Sequence, residues 1–227
     1  MAPSTRSWLV LLTLAVLGAL FWRSVWLAPL RILVVVFHEC GHALMALATG
    51  GSVEGLTVSL NEGGRALTRG GVHFLVLNGG YLGSLAFGVA LLAAAKKPGR
   101  GRFIISLLGV FLLGAALFWF RPVASFGFMY TTVAGAVLLA MSGYAPPWLA
   151  DGFVRFLGIF SAMYALIDIQ DDVFRNGLFG GSWYGGGAGE TDAHMLADLT
   201  GVPAPLWGLL WLGLSAMALW FSRRFVV

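Results

Sequence analysis

Apolar runs with few or no charges, separated by short polar or glycine-rich breaks, make up most of this chain. They cover residues 8–22, 74–95, 103–120, 123–145 and 203–222. Each can form a membrane helix, for which about 20 apolar residues suffice. Two more runs carry embedded polar groups: 27–49, with His38, Glu39 and His42, and 152–167, with Arg155. The pattern therefore predicts six or seven spans. Between the second and third spans, Val53, Leu56, Val58 and Leu60 partly alternate with polar or small residues before the turn-like Asn61-Glu62-Gly63-Gly64. Period-two alternation ending in such a turn predicts a short β-hairpin, expected at the membrane surface.

Composition identifies the solvent. Hydrophobic residues are 59% and charged residues 11% of the chain, and mean hydropathy is +0.86. Too few charges remain to clothe a soluble core, so the outer surface must face lipid. The net charge of +4 does not point to nucleic acid, because the basic residues stand at the ends of apolar runs and never alternate with aromatics along a groove-like patch. They read as topology signals. Lys96, Lys97, Arg100 and Arg102 belong on the cytoplasmic side with Arg223 and Arg224, and the glycine-rich stretch 168–201 falls on the other face. The first run follows Arg6 but has no small-residue cleavage site, so an uncleaved anchor is expected. Cys40, the single cysteine, excludes an intramolecular disulfide. The expected fold class is all-α: a polytopic membrane helix bundle with a hairpin after its second span, one membrane domain over residues 1–227.

Inside the second run stands His38-Glu39-Cys40-Gly41-His42, the H-E-x-x-H pattern. On a helix the two histidines are about 40° apart around the axis and one turn apart along it, with Glu39 about 60° to one side of His42. Both imidazoles can then reach one ion. The arrangement suits zinc with a water held beside Glu39. Pro29 near the start and Gly50-Gly51 past the end bracket a helix across the motif. Ionisable groups at the centre of a span cost on the order of 2.5 to 3.5 kcal/mol each, so three kept together indicate use. Cys40, two residues from each histidine, reads as a small apolar residue.

Catalytic zinc generally takes three protein ligands, and several residues compete to be the third. Asp192 precedes a short helical pattern that ends at Gly201 and could fold back over the site, or serve as an acid at that helix's N-terminus. The same segment could bring His194 instead, or His194 could face Asp198 one turn later. Asp168 and Asp172 share a face but have Arg175 as a ready partner. Asp151 reads as a helix cap, and His73 as an interfacial histidine. The small residues of Asn78-Gly79-Gly80-Tyr81-Leu82-Gly83-Ser84 predict close packing against the metal helix. Asn78 is a further candidate for binding a substrate carbonyl or oxyanion.

In His38-Glu39-Cys40-Gly41-His42, the following Gly50-Gly51 and hairpin, the 78–84 segment, and Thr191-Asp192-Ala193 ahead of a Trp-rich last span, the chain resembles site-2 protease-like intramembrane zinc metallopeptidases, especially their compact bacterial branch. It lacks the longer Asn-Pro-Asp-Gly type motif of better-known members. The resemblance implies zinc held by His38 and His42, Glu39 as general base on the zinc-activated water, and Asp192 completing the site. It implies a membrane protein or peptide as substrate, cut within or beside the bilayer of the cell membrane. A non-catalytic scaffold that retains a metal site is the alternative. A transporter would need polar residues spread over several spans, and apart from Asn78, Arg155 and Asp168 the chain has few.

Overall fold

The computed structural model describes residues 24–169 and 191–222, together with Thr13, Val16 and residues 20–22. Most of the predicted 8–22 span lies outside these residues. So do Asp172, the glycine-rich 177–189 segment, Arg223 and Arg224.

Among the described residues seven helices and one hairpin follow in order: α1 (Ala28–Ala48), β1 (Ser52–Val58), β2 (Gly64–Arg69), α2 (His73–Ala94), α3 (Gly101–Phe118), α4 (Phe126–Tyr144), α5 (Pro147–Ile169), α6 (Asp192–Thr200) and α7 (Ala204–Ser222). A 3-10 turn over Val25–Leu27 leads into α1. Among the described residues five helices are long and apolar enough to cross a bilayer, and α5, with 23 residues, is a sixth long helix that carries Asp151, Arg155 and Asp168. With apolar helices throughout, the chain is an integral membrane protein. The apolar window of α1 is 72% buried inside the protein, against 22% for α4 and 28% for α7. The motif helix is therefore the centre of the bundle, and α4 and α7 face mostly outward.

Glycines set how closely the central helices meet. A Cβ at Gly79 would come within 2.9 Å of the Gly41 carbonyl oxygen, and one at Gly83 within 2.7 Å of the Gly41 Cα, so α1 and α2 touch backbone to backbone. Gly88 and Gly158 do the same for α2 and α5. Small residues are what allow such approach between helices in lipid, where no hydrophobic force drives them together.

The hairpin is antiparallel, with Ser52 opposite Arg69, Val58 opposite Gly64, and an irregularity between Val53 and Gly55. Leu56 and Val58 are buried as the alternation predicts, but Leu60 lies in the turn and is exposed. The expected surface position is corrected. At its base Val72 N–H donates to Thr49 Oγ1 at the C-terminal end of α1. At its turn Glu62 meets Arg31, in the first turns of α1, at 2.7 Å. Those two anchors are 18 residues of helix apart, about 27 Å, so the hairpin lies along the span rather than beyond its end. Backbone at that depth must be covered by protein or line a polar cavity. The inner edge is covered: Leu56 N–H donates to Trp119 O and Arg121 N–H to Leu56 O.

Candidate metal centre

α1 starts where Pro29 occupies its first turn and stops at Gly50, whose φ of +84° suits glycine. That frame puts the motif at mid-helix. His38 and His42 point the same way, ring centroids 4.8 Å apart and nearly perpendicular. Asp192, the first residue of α6, meets both: its Oδ2 lies 3.1 Å from His38 Nε2 and 3.2 Å from His42 Nε2. One ligand atom from each of the three falls within 4.8 Å of the others, which is a group that could hold a metal ion.

The surroundings fit that role. His42 Nδ1–H donates to Val76 O at 2.7 Å, which fixes the tautomer and frees Nε2 as a lone-pair donor. On the facing side of α2, a Cβ at Gly80 would overlap His38 Nε2 and come within 2.5 Å of His42 Nε2. Only the missing side chain keeps that space open. A carboxylate oxygen facing two imidazole nitrogens is a suitable donor set for a divalent cation.

Glu39 is buried and stands outside the three converging atoms. Its carboxylate lies against the start of β2, where a Cβ at Gly64 would come within 2.7 Å of its Cδ. The hairpin thus forms one wall of the site.

The other candidates fall elsewhere. His73 is exposed at the start of α2. His194 is buried two residues after Asp192, with Nδ1 2.8 Å from Thr191 Oγ1. Cys40 is a free, buried thiol within the apolar core. The backbone of Asp168 belongs to α5, but its side chain, like all of Asp172, lies outside the described residues. Asp151 is a cap, though for a neighbour: from within α5 it accepts Gly99 N–H at 2.6 Å and Gly101 N–H at 2.7 Å, at the start of α3. Asp151→Ala should lower unfolding stability by about 1 kcal/mol without changing metal binding, as thermal melts and metal titration of one sample would read. Asn78 is engaged at both ends of its amide, donating to Phe74 O and accepting from Trp211 Nε1–H.

The family model for Peptidase M50B-like proteins matches residues 10–222. The chain belongs to this family. No curated protein and no solved structure matches it. Membership in a peptidase family supports a hydrolase in general terms, and in this M50B-like chain the one described group able to hold a metal is His38, His42 and Asp192. Gly80, Gly64 and the Val76 carbonyl were not singled out individually by the sequence. Gly80 sits inside the small-residue segment but one position off the packing glycines, and on a helix one position is about 100°.

Proposed function

We propose that this chain is a multi-pass zinc metalloprotease of a bacterial cell membrane that hydrolyses peptide bonds of membrane proteins, with His38, His42 and Asp192 as zinc ligands and Glu39 as general base. One observation carries the reading: two imidazoles and a carboxylate converge inside the bundle beside a second carboxylate, that of Glu39, which stands outside the converging group. Two ligands about 2.0–2.1 Å from a tetrahedral zinc stand about 3.3 Å apart, close to the separations of Asp192 Oδ2 from the histidines. Bound zinc supplies Lewis acidity that activates water and polarises the scissile carbonyl.

The remaining work falls to the chain. Glu39 accepts the proton of the attacking water and delivers it to the leaving amide nitrogen. Val76 O holds the His42 ring, and Gly80 leaves the ion its room. A helical substrate must unwind locally to be cut, since its peptide groups are satisfied within the helix. Among the described residues the sheet ends at β2, so the outer edge of that strand, beginning at Gly64 beside Glu39, is suited to pair with an extended substrate segment.

Asp192→Ala and His42→Ala test the ligand set. Each should reduce bound zinc by at least tenfold and abolish cleavage of co-expressed single-span membrane proteins, measured by metal analysis and immunoblot. Wild-type zinc content in Asp192→Ala would remove Asp192 from the site.

A further inference from the structure

Two of the three converging groups share a support that lies behind the site. His42 is oriented by its hydrogen bond to Val76 O, whereas His38 Nδ1 is buried with no hydrogen-bond partner among the described residues. Apart from its Nε2 contact with Asp192, the His38 ring is therefore held by what packs on it. Tyr81 does this, its ring edge-on to the imidazole at 4.8 Å and 89°. Tyr81 in turn lies against the Trp211 indole, centroids 4.5 Å apart. Trp211, on α7, is fully buried.

Asp192 depends on the same indole by another route. Ala193, Leu196 and Ala197 of α6 share one apolar cluster with Leu77, Tyr81 and Trp211. α6 joins α7 through only Gly201, Val202 and Pro203, so the height and rotation of α7 set the position of α6. α7 is buried along a single stripe that includes Gly208, Trp211 and Ser215. Lipid provides no hydrophobic force to seat such a helix, and packing and interhelical hydrogen bonds must do so. Trp211 Nε1–H donates to Asn78 Oδ1 on α2 at 2.9 Å, in a buried setting.

We propose that Trp211 is a positioning residue of the metal centre: its ring fixes His38 through Tyr81, and its hydrogen bond to Asn78 fixes the α6–α7 unit that carries Asp192. Asn78 is the anchor of this arrangement. The proposal rests on the metal-site reading above and adds a determinant outside the ligand set.

The test uses the whole protein purified in detergent micelles and titrated with Co(II), reading affinity and the visible d–d band that reports coordination geometry. Trp211→Leu removes both supports and should weaken Co(II) binding about tenfold or more, with a changed band at unchanged helix content. Trp211→Phe keeps the ring and should restore most of the affinity. Trp211→Phe and Asn78→Leu each remove the same hydrogen bond, so each should weaken binding a few-fold and their combination no further. Wild-type affinity and band in Trp211→Leu would overturn the proposal. If that variant fails to fold, additive losses in the Trp211→Phe/Asn78→Leu pair, or no loss in either, would overturn it instead. Cobalt bound by the wild type and lost in His38→Ala keeps the metal-site reading intact whichever way the Trp211 variants behave. Failure of the wild type to bind cobalt, or binding indifferent to His38→Ala, overturns both.

Discussion

Glu39→Gln should abolish cleavage while the purified protein keeps its full zinc content. Removing a general base costs roughly 10²- to 10⁴-fold in rate, and Gln retains the shape of Glu while losing the capacity to take a proton. The metal should be indifferent, because Glu39 lies outside the group formed by His38, His42 and Asp192. Fold should be indifferent too: the amide fits the same space against Gly64, and a neutral side chain costs less to bury than a charged one. Metal analysis and cleavage of a panel of co-expressed single-span membrane proteins, run on wild type and variant together, read both halves. Zinc in both with cleavage in neither would favour a non-catalytic scaffold. Zinc in neither would mean that the motif does not hold the ion.

The parts of this molecule that were legible in sequence are those specified by local periodicity. Apolar runs gave helices whose ends differ from expectation by a few residues, as in 203–222 against Ala204–Ser222, because a membrane span is defined by its own residues and the bilayer. The His38-to-His42 spacing is equally local, since one turn of helix decides it. Spacing and periodicity alone left open which acid meets the histidines, and only the family resemblance pointed to Asp192. His38 and Asp192 are 154 positions apart, and nothing in the neighbourhood of Asp192, Asp151 or Asp168 reports which helix will close over α1. The hairpin shows the same limit. Its alternation and turn were visible, but its depth depends on Arg31 finding Glu62 across 31 positions, and sequence alone gave that arginine no partner. Helical phase accounts for the third gap. A run of small residues predicts that α2 packs closely, without saying that Gly79 and Gly83 meet Gly41 whereas Gly80 turns toward the histidines.

That phase makes Gly80→Ala the second substitution with a large expected effect. An alanine methyl would lie 2.5 Å from His42 Nε2 and 2.6 Å from His38 Cε1, while an ion held by the same nitrogens lies about 2.0–2.1 Å from them. The methyl and the ion compete for one volume. α2 cannot back away to make room, because Gly79 and Gly83 already hold its backbone against Gly41. The histidines can turn aside, but only by giving up the shared direction that lets both reach one ion. Zinc content should therefore fall at least tenfold and cleavage with it. Stability should fall only a little, since alanine is favoured over glycine within a helix by roughly 0.5–1 kcal/mol, which partly offsets the crowding of two movable side chains. Gly114→Ala supplies the control, as nothing lies within 4 Å of a Cβ there, and it should keep both zinc and cleavage. Full zinc content in Gly80→Ala would mean that the ion does not occupy the space between α1 and α2, and the three converging side chains would then need another explanation.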